Sequence, residues 1–530
     1  MKWMLLFVSV LLSSWLFAQI ADCDILIKNG KIIDGTGNSW YYGNIAIKDG
    51  KILQMGRDVN LSAKKIIDAN GLIVAPGFID VHTHLEDDET KDFNATNFIM
   101  DGVTTCITGN CGSSNTNIGK YLRFIDSLKL SINVATLIGH NDVRKQVMGR
   151  VNRDATAAEM QQMKDIVDKA MREGAVGFST GLIYIPGTYT KTPEIVELAK
   201  VAAKYNGVYA SHMRDEGDSV TYAINEALTV GREAKIPVEI SHFKLSGQQN
   251  WGRSKETVPM IEAARKEGIE VTIDQYPYTA SSTSISTLIP DEILADGQDS
   301  INARLQNPGI KKYVIKSMLE RLRKRKLKHF SYAVVAYYEP DTTYNGKSIE
   351  QINLMKGKKH KAKYEAETVI DLMMHGGASA VFHGMSEEDI KRIMQYPFNM
   401  FASDASIRVL GAGVPHPRGY GTNARVLAEY VRDQHVISLE EAIRRMTSLP
   451  AQKFQLYSRG LLKEGMAADI VIFDEKQVQD VSTYENPHAY SKGFHYVIVN
   501  GVLTVDNEKH TGARAGEALY GPGITSKINF

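Results

Sequence analysis

The sequence predicts an α/β fold, a (β/α)8 TIM-like barrel with a small β-sandwich domain built from both chain ends. Three observations predict it. Helix-like and strand-like segments alternate for several hundred residues through the middle of the chain. Polar, chemistry-bearing residues recur where those strands end, which is where such barrels carry their sites. Both ends of the chain read instead as short strands joined by tight turns. With 530 residues, 43% of them hydrophobic, the chain can bury a large core and a smaller second one. Its 62 basic and 61 acidic side chains nearly cancel to a formal charge of +1. Nothing global therefore argues for nucleic acid or an anionic membrane as partner.

Taken in order, the first residues lie outside the fold. Met1-Lys2 gives a positive start, residues 5–17 are largely apolar but short for a membrane span, and Ala18 offers a small residue before Gln19. Residues 1–18 read as a secretory signal peptide, so the mature chain is expected to be periplasmic or secreted, without a stable membrane span. A retained anchor is the alternative. Cys23 raises lipid attachment as another, but the charged Asp22 stands directly before it, where such a site wants a small residue. With only Cys23, Cys106 and Cys111, no disulfide framework holds the chain together.

Residues 24–71 contain Ile25-Leu26-Ile27-Lys28-Asn29-Gly30 and Ile45-Ala46-Ile47-Lys48-Asp49-Gly50, alternating apolar runs broken by Asn-Gly and Asp-Gly hairpin signals. Residues 456–520 repeat that grammar, with Ile470-Val471-Ile472-Phe473 and Tyr496-Val497-Ile498-Val499-Asn500-Gly501. The two stretches are expected to form the small β domain, and residues 72–455 the barrel. Within the barrel, helix-like segments at 157–173, 193–205, 220–235 and 258–267 are each followed by a strand-like run, the last three ending at His212, His242 and Asp274. The highly charged stretch at about 300–363 breaks the rhythm and reads as an inserted lobe or lid, or equally as solvated helices.

Chemistry gathers at the strand ends. Gly77-Phe78-Ile79-Asp80-Val81 leads into His82-Thr83-His84, and alternate strand residues face the same way, so two imidazoles project together as a divalent metal such as zinc requires. One or both could instead hydrogen-bond in a core. Cys111 lies just past Val103-Thr104-Thr105-Cys106-Ile107-Thr108, and a thiolate there would bind zinc strongly; a structural thiol or a disulfide to Cys106 is the alternative. His212 and His242 end strands one repeat apart, and Asp404 follows Asn399-Met400-Phe401-Ala402-Ser403. A metal lowers the pKa of water from about 15.7 toward about 7 and polarises an amide carbonyl. An amine leaving group needs a proton, and Asp404 is the candidate carrier, with Asp215 or Glu216 next in line. A surface or capping role is the alternative for Asp404.

Longer stretches make a family resemblance specific. They are His82-Thr83-His84, Gly109-Asn110-Cys111-Gly112, Gly177-Phe178-Ser179-Thr180-Gly181-Leu182, Ser211-His212-Met213-Arg214-Asp215-Glu216, Ile240-Ser241-His242-Phe243-Lys244, Tyr276-Pro277-Tyr278, Ser403-Asp404 and His416-Pro417-Arg418. In these, and in Gly465-Met466-Ala467-Ala468-Asp469 and His510-Thr511-Gly512-Ala513-Arg514, the chain after residue 18 resembles the N-acyl-D-amino-acid deacylases of the amidohydrolase superfamily. The resemblance implies one tight zinc on Cys111, His212 and His242 and a second, weaker position lined by His82, His84 and Asp404. It implies that Lys244, Tyr276, Ser282 and Arg418 hold the α-carboxylate of a small N-acyl-D-amino acid, as two cations and two hydroxyls suit an anion. It also implies an apolar side-chain pocket at Ile183, Phe382 and Met385. The loop at 405–415 departs from the family pattern, which bears on side-chain preference. A related amidohydrolase acting on cyclic amides, as hydantoinases and dihydroorotases do, or on dipeptides is the runner-up. A non-catalytic binding protein on the same barrel would be expected to have lost the aspartate or a histidine, and this chain retains them all.

Overall fold

Asp49 and Gly50 both take positive φ, as do Asn500 and Gly501, the backbone that two-residue hairpin turns require. These turns organise the chain ends. The structure, a computed structural model, describes residues 22–524, so the expected signal peptide at 1–18 lies outside the described residues. Strands β1 (Cys23–Ile32), β2 (Tyr41–Lys48) and β3 (Lys51–Gly56) run antiparallel, with β4 (Ala63–Asp68) and β5 (Ile73–Pro76) parallel to β1. No helix among the described residues is long and apolar enough to cross a membrane.

The middle of the chain then supplies parallel strands: β6 (Phe78–Asp80), β7 (Val103–Thr108), β8 (Asn133–Thr136), β9 (Ile138–Gly139), β10 (Gly177–Gly181), β11 (Val208–His212), β12 (Val238–Ile240) and β13 (Val271–Gln275). β14 (Ala280–Ser284), β15 (Ala333–Tyr337) and β16 (Ser379–His383) form a separate antiparallel sheet before the chain returns as β17 (Asn399–Phe401). The pairing runs β6-β7-β8 and β9-β10-β11-β12-β13-β17. β8 and β9 continue one line across Leu137, whose N–H donates to the Thr108 carbonyl. The last strand meets the first: Asp404 N–H donates to the His82 carbonyl and His84 N–H to the Ala405 carbonyl, both at 2.9 Å. Counting β8 and β9 as one, eight parallel strand positions thus form the barrel.

The tail adds β18 (Ile470–Phe473), β19 (Phe494–Val499), β20 (Val502–Asp506) and β21 (Lys509–His510) to the N-terminal sheet, through β18 pairing with β5. That sheet curls on itself, because edge strand β3 bridges from Lys51 to Ala467, just before β18. Ile27, Ile45 and Ile47 from one chain end share a core with Ile470, Ile472 and Ile498 from the other. Each such fully buried side chain contributes about 1.5–3 kcal/mol of apolar burial, which ties the two ends together. The lobe containing residues 300–363 extends from Ala280 to His383 and has its own core, including Val314, Phe330, Val335, Ile352 and Val369. It is inserted between the seventh and eighth barrel strands, beside the mouth.

Candidate metal centre and substrate site

Abrupt turns at the strand ends aim the expected ligands inward. His82 and His84 follow β6, Cys111 follows β7, His212 ends β11, His242 follows β12 and Asp404 follows β17. Cys111 (φ 53), His242 (φ 36) and Asp404 (φ 50) sit in left-handed backbone, which costs an L residue about 1–2 kcal/mol. Their surroundings hold them there. His242 N–H donates to Asp274 Oδ1 at 2.8 Å, and Asp404 N–H to the His82 carbonyl. Gly112, beside Cys111, has φ 75, and a Cβ at that position would collide with the Asn141 side chain. Strained residues that a fold over-determines in this way cluster at functional sites.

The six side chains come together. Cys111 Sγ lies 3.3 Å from His82 Nε2, 3.4 Å from His212 Nδ1 and 3.6 Å from His242 Nε2. Asp404 Oδ1 lies 3.1 Å from His84 Nε2 and 3.8 Å from His82 Nε2. Zinc with bonds of about 2.0–2.3 Å holds its donors roughly 3.3–3.8 Å apart, so this donor set fits such an ion. The donors fall into three overlapping groups, Cys111 with His212 and His242, Cys111 with His82 and His84, and His82 with His242 and Asp404, so that the first two share the thiolate. Cys106 and Cys111 are both free and buried, so the disulfide alternative is excluded. Burial alone would push the Cys111 thiol up, but His82, His212 and His242 hold it well below its ordinary value. Likewise burial opposes ionisation of Asp404, and Arg418, His84, His242 and His82 overcome it, so its carboxylate stays charged.

A second layer orients the ligands. Asp274 Oδ2 lies 3.5 Å from His82 Nδ1 while its Oδ1 accepts from the His242 backbone. Glu216 Oε1 lies 2.9 Å from His242 Nδ1 and 4.0 Å from His212 Nε2, and accepts from Lys244 Nζ. Carboxylates behind imidazole ligands fix the ring tautomer and raise ligand basicity. Asp274 is not among the expected site residues, although its position at a strand end carries the same signal as His212 and His242. Tyr184, whose ring packs 4.9 Å from His212, has no such signal. Asp215 takes no part in the cluster: its carboxylate caps the N–H groups of Gly217 and Ser219.

Of the expected carboxylate-binding residues, Arg418, Tyr276 and Lys244 converge, and Ser282 meets Arg418 through its backbone carbonyl and not its hydroxyl. Arg418 Nη1 lies 3.0 Å from Asp404 Oδ2, its Nη2 donates to the Ser282 carbonyl, and its guanidinium stacks 4.5 Å from the Tyr276 ring centre. Lys244 Nζ lies 5.7 Å from the same ring, and the Tyr276 hydroxyl is buried without a hydrogen-bond partner. β12 ends at Ile240, so strand alternation does not carry Lys244 to this position. Its ammonium instead folds back to within 2.8 Å of His242 Nδ1. Ile183, Phe382 and Met385 line one cavity of ≈ 440 Å³, whose wall from the lobe carries Arg321, Lys324 and Arg325. A second cavity, of ≈ 340 Å³, opens on His84, Cys111 and Tyr184.

A match to the Amidohydrolase family spans residues 65–330 and 350–505, so the chain belongs to that family. Within it the chain is one of the N-acyl-D-amino-acid deacylases. It is 33% identical over 519 residues to the D-aminoacylase of Alcaligenes xylosoxydans xylosoxydans, covering 94% of this chain and 97% of that protein. The N-acyl-D-glutamate deacylase of Bordetella bronchiseptica, solved with zinc and a phosphonate mimic of the tetrahedral intermediate, superposes with a TM-score of 0.80. It is 32% identical, over 94% of this chain and 99% of that one. A D-hydantoinase, at 18% identity and a TM-score of 0.51 over 94% of this chain and 98% of its own, shares the fold.

Proposed function

We propose that the protein uses zinc to hydrolyse the amide bond of N-acyl-D-amino acids, giving a carboxylate and a free D-amino acid. One observation carries this reading: Arg418 and Lys244, both packed on the Tyr276 ring, form a buried cationic row directly beside Asp404 and the ligand cluster. Such a row suits a substrate with a carboxylate next to the scissile amide. Zinc on Cys111, His212 and His242, with a weaker second position at His82, His84 and Asp404, would polarise the carbonyl and acidify the attacking water. Asp404 accepts that water's proton and returns it to the departing nitrogen. Arg418 and the Tyr276 hydroxyl fix the α-carboxylate, and the cavity at Ile183, Phe382 and Met385 receives the side chain.

With carboxylate, amide and side chain each assigned a place, the site would tell the two hands of a substrate apart, and the choice of the D form rests on the relatives named above. Cyclic-amide chemistry of the hydantoinase or dihydroorotase kind has less behind it: likeness of fold to a D-hydantoinase and 28% identity to a dihydroorotase over 48% of this chain, against 33% identity to the D-aminoacylase over 94%. The cationic row also has no role with a cyclic amide lacking a carboxylate. Export of the mature chain is part of the proposal and rests on residues 1–18; recovery of the unprocessed chain from the cytoplasm alone would remove it. The deciding experiment is hydrolysis of paired N-acetyl-D- and N-acetyl-L-amino acids with apolar and acidic side chains, with zinc quantified. Cleavage of D substrates only is expected. Equal cleavage of both hands, or preference for a hydantoin or a dipeptide, would overturn the reading.

A further inference from the structure

The inserted lobe holds a second set of ligand-type side chains that the barrel chemistry does not use. His329 stands just before the short turn Phe330–Tyr332, Glu350 in the first turn of the helix Ile349–Met355, His360 in the connection that follows, and Glu365 in the first turn of the helix Ala362–Met374. His329 Nδ1 lies 2.6 Å from Glu365 Oε1 and 3.6 Å from Glu350 Oε1, and His360 Nε2 lies 2.5 Å from Glu350 Oε1. One donor atom from each residue falls within 4.8 Å of all the others. The two imidazoles stack, with centres 4.3 Å apart and planes at 22°.

Charge balance makes this more than a pair of surface contacts. Among the described residues neither Glu350 nor Glu365 is ion-paired with a lysine or arginine; only the two histidines face them. Glu365 is fully buried, and its second oxygen accepts from Phe330 N–H at 2.8 Å, so its carboxylate cannot turn to solvent. A divalent cation placed among the four would meet both carboxylates and both imidazoles at once.

We propose that His329, Glu350, His360 and Glu365 bind a zinc ion in the lobe, separate from the barrel site. Mixed imidazole and carboxylate donors suit that ion. A tetrahedral zinc holds such donors roughly 3.3 Å apart. Three of the separations, 2.5, 2.6 and 3.6 Å, lie on either side of that, and no two of the four donor atoms are more than 4.8 Å apart. Four protein ligands fill a tetrahedral shell and leave no position for substrate, which makes the role structural. The ion would tie three separate segments together, one of them leading directly into the turn that carries Tyr332, a residue that also walls the side-chain cavity.

Zinc per chain, measured in dialysed holoenzyme, tests the proposal. His360→Asn and the double variant His329→Ala/His360→Ala are expected to carry one zinc fewer per chain than wild type. They should keep kcat and become more protease-sensitive within the lobe. His360 is half exposed, so its single substitution keeps the test open if the double variant does not fold. Cys111→Ala is expected to retain one zinc, which the added His360→Asn change removes. Equal zinc in wild type and His360→Asn, or zinc-free Cys111→Ala protein, would overturn the lobe site. Neither result depends on the deacylase reading, because zinc is counted whether or not substrate turns over.

Discussion

The barrel mouth and the inserted lobe both gather histidines around acidic groups, but on different supports. At the mouth the donors stand on strand ends, three of them in left-handed backbone, and a thiolate lies at their centre. In the lobe they stand on helix first turns and a connection, without a thiolate, and His360 is 52% exposed. Closure of the barrel fixes the mouth from every side, because each ligand strand is paired with neighbours on both edges. Such a frame can hold donors in strained positions and still leave room for substrate. Helix first turns impose less, and there four donors converge on one another alone. Similar residue types thus serve reaction in one place and cohesion in the other, according to what carries them.

Substitutions should separate the two regions, beginning with the largest effect. Cys111→Ala removes the atom on which three imidazoles converge. It is expected to lose the mouth zinc and bring turnover to assay background. Full activity with stoichiometric mouth zinc would show the thiolate to be dispensable. Asp404→Asn should keep zinc and fold yet lose turnover by about two orders of magnitude or more, the scale of a general base. Near-normal turnover would pass the proton-carrying role to Glu216, whose carboxylate lies 2.9 Å from the His242 imidazole.

Arg418→Met comes next. Removing one partner of a desolvated charge pair costs about 2–5 kcal/mol. At about 1.4 kcal/mol per tenfold, kcat/KM for N-acetyl-D-amino acids should fall roughly 30-fold or more. The corresponding uncharged amide should lose less, only what the lost contact to Asp404 costs, and equal losses on acid and amide would mean that Arg418 acts through Asp404 and not on the substrate carboxylate. The smallest effect is expected from Ile352→Val, deep in the lobe core. It should cost about 0.5–1.5 kcal/mol of stability in a denaturant titration and leave kcat unchanged. A loss of kcat from that change would break the separation of lobe from mouth.

Much of the mouth is legible in the amino-acid sequence. His82, His84, Cys111, His212, His242 and Asp404 each follow a strand-like run, and hydrophobic periodicity locates strand ends because it is a property of neighbouring residues. The same local grammar, with Asp49-Gly50 and Asn500-Gly501, places hairpins at both chain ends. Lys244 shows where that grammar stops: alternation along a strand cannot set its direction, because β12 ends at Ile240 and His242 takes positive φ.

The sequence by itself determined the barrel, the small β domain and the donor types at the strand ends, since each is written in short-range pattern and residue chemistry. Tertiary structure alone decided which donors meet. His84 and Asp404, 320 positions apart, are joined by the closing hydrogen bonds between first and last strands. Asp274 became a partner of both His82 and His242 only when β13 was set beside β12. The lobe's four ligands, drawn from three segments without a shared motif, were likewise assembled by packing around Phe330 and Ile352. Pairings of this kind depend on which surfaces bury one another, and no local pattern records that.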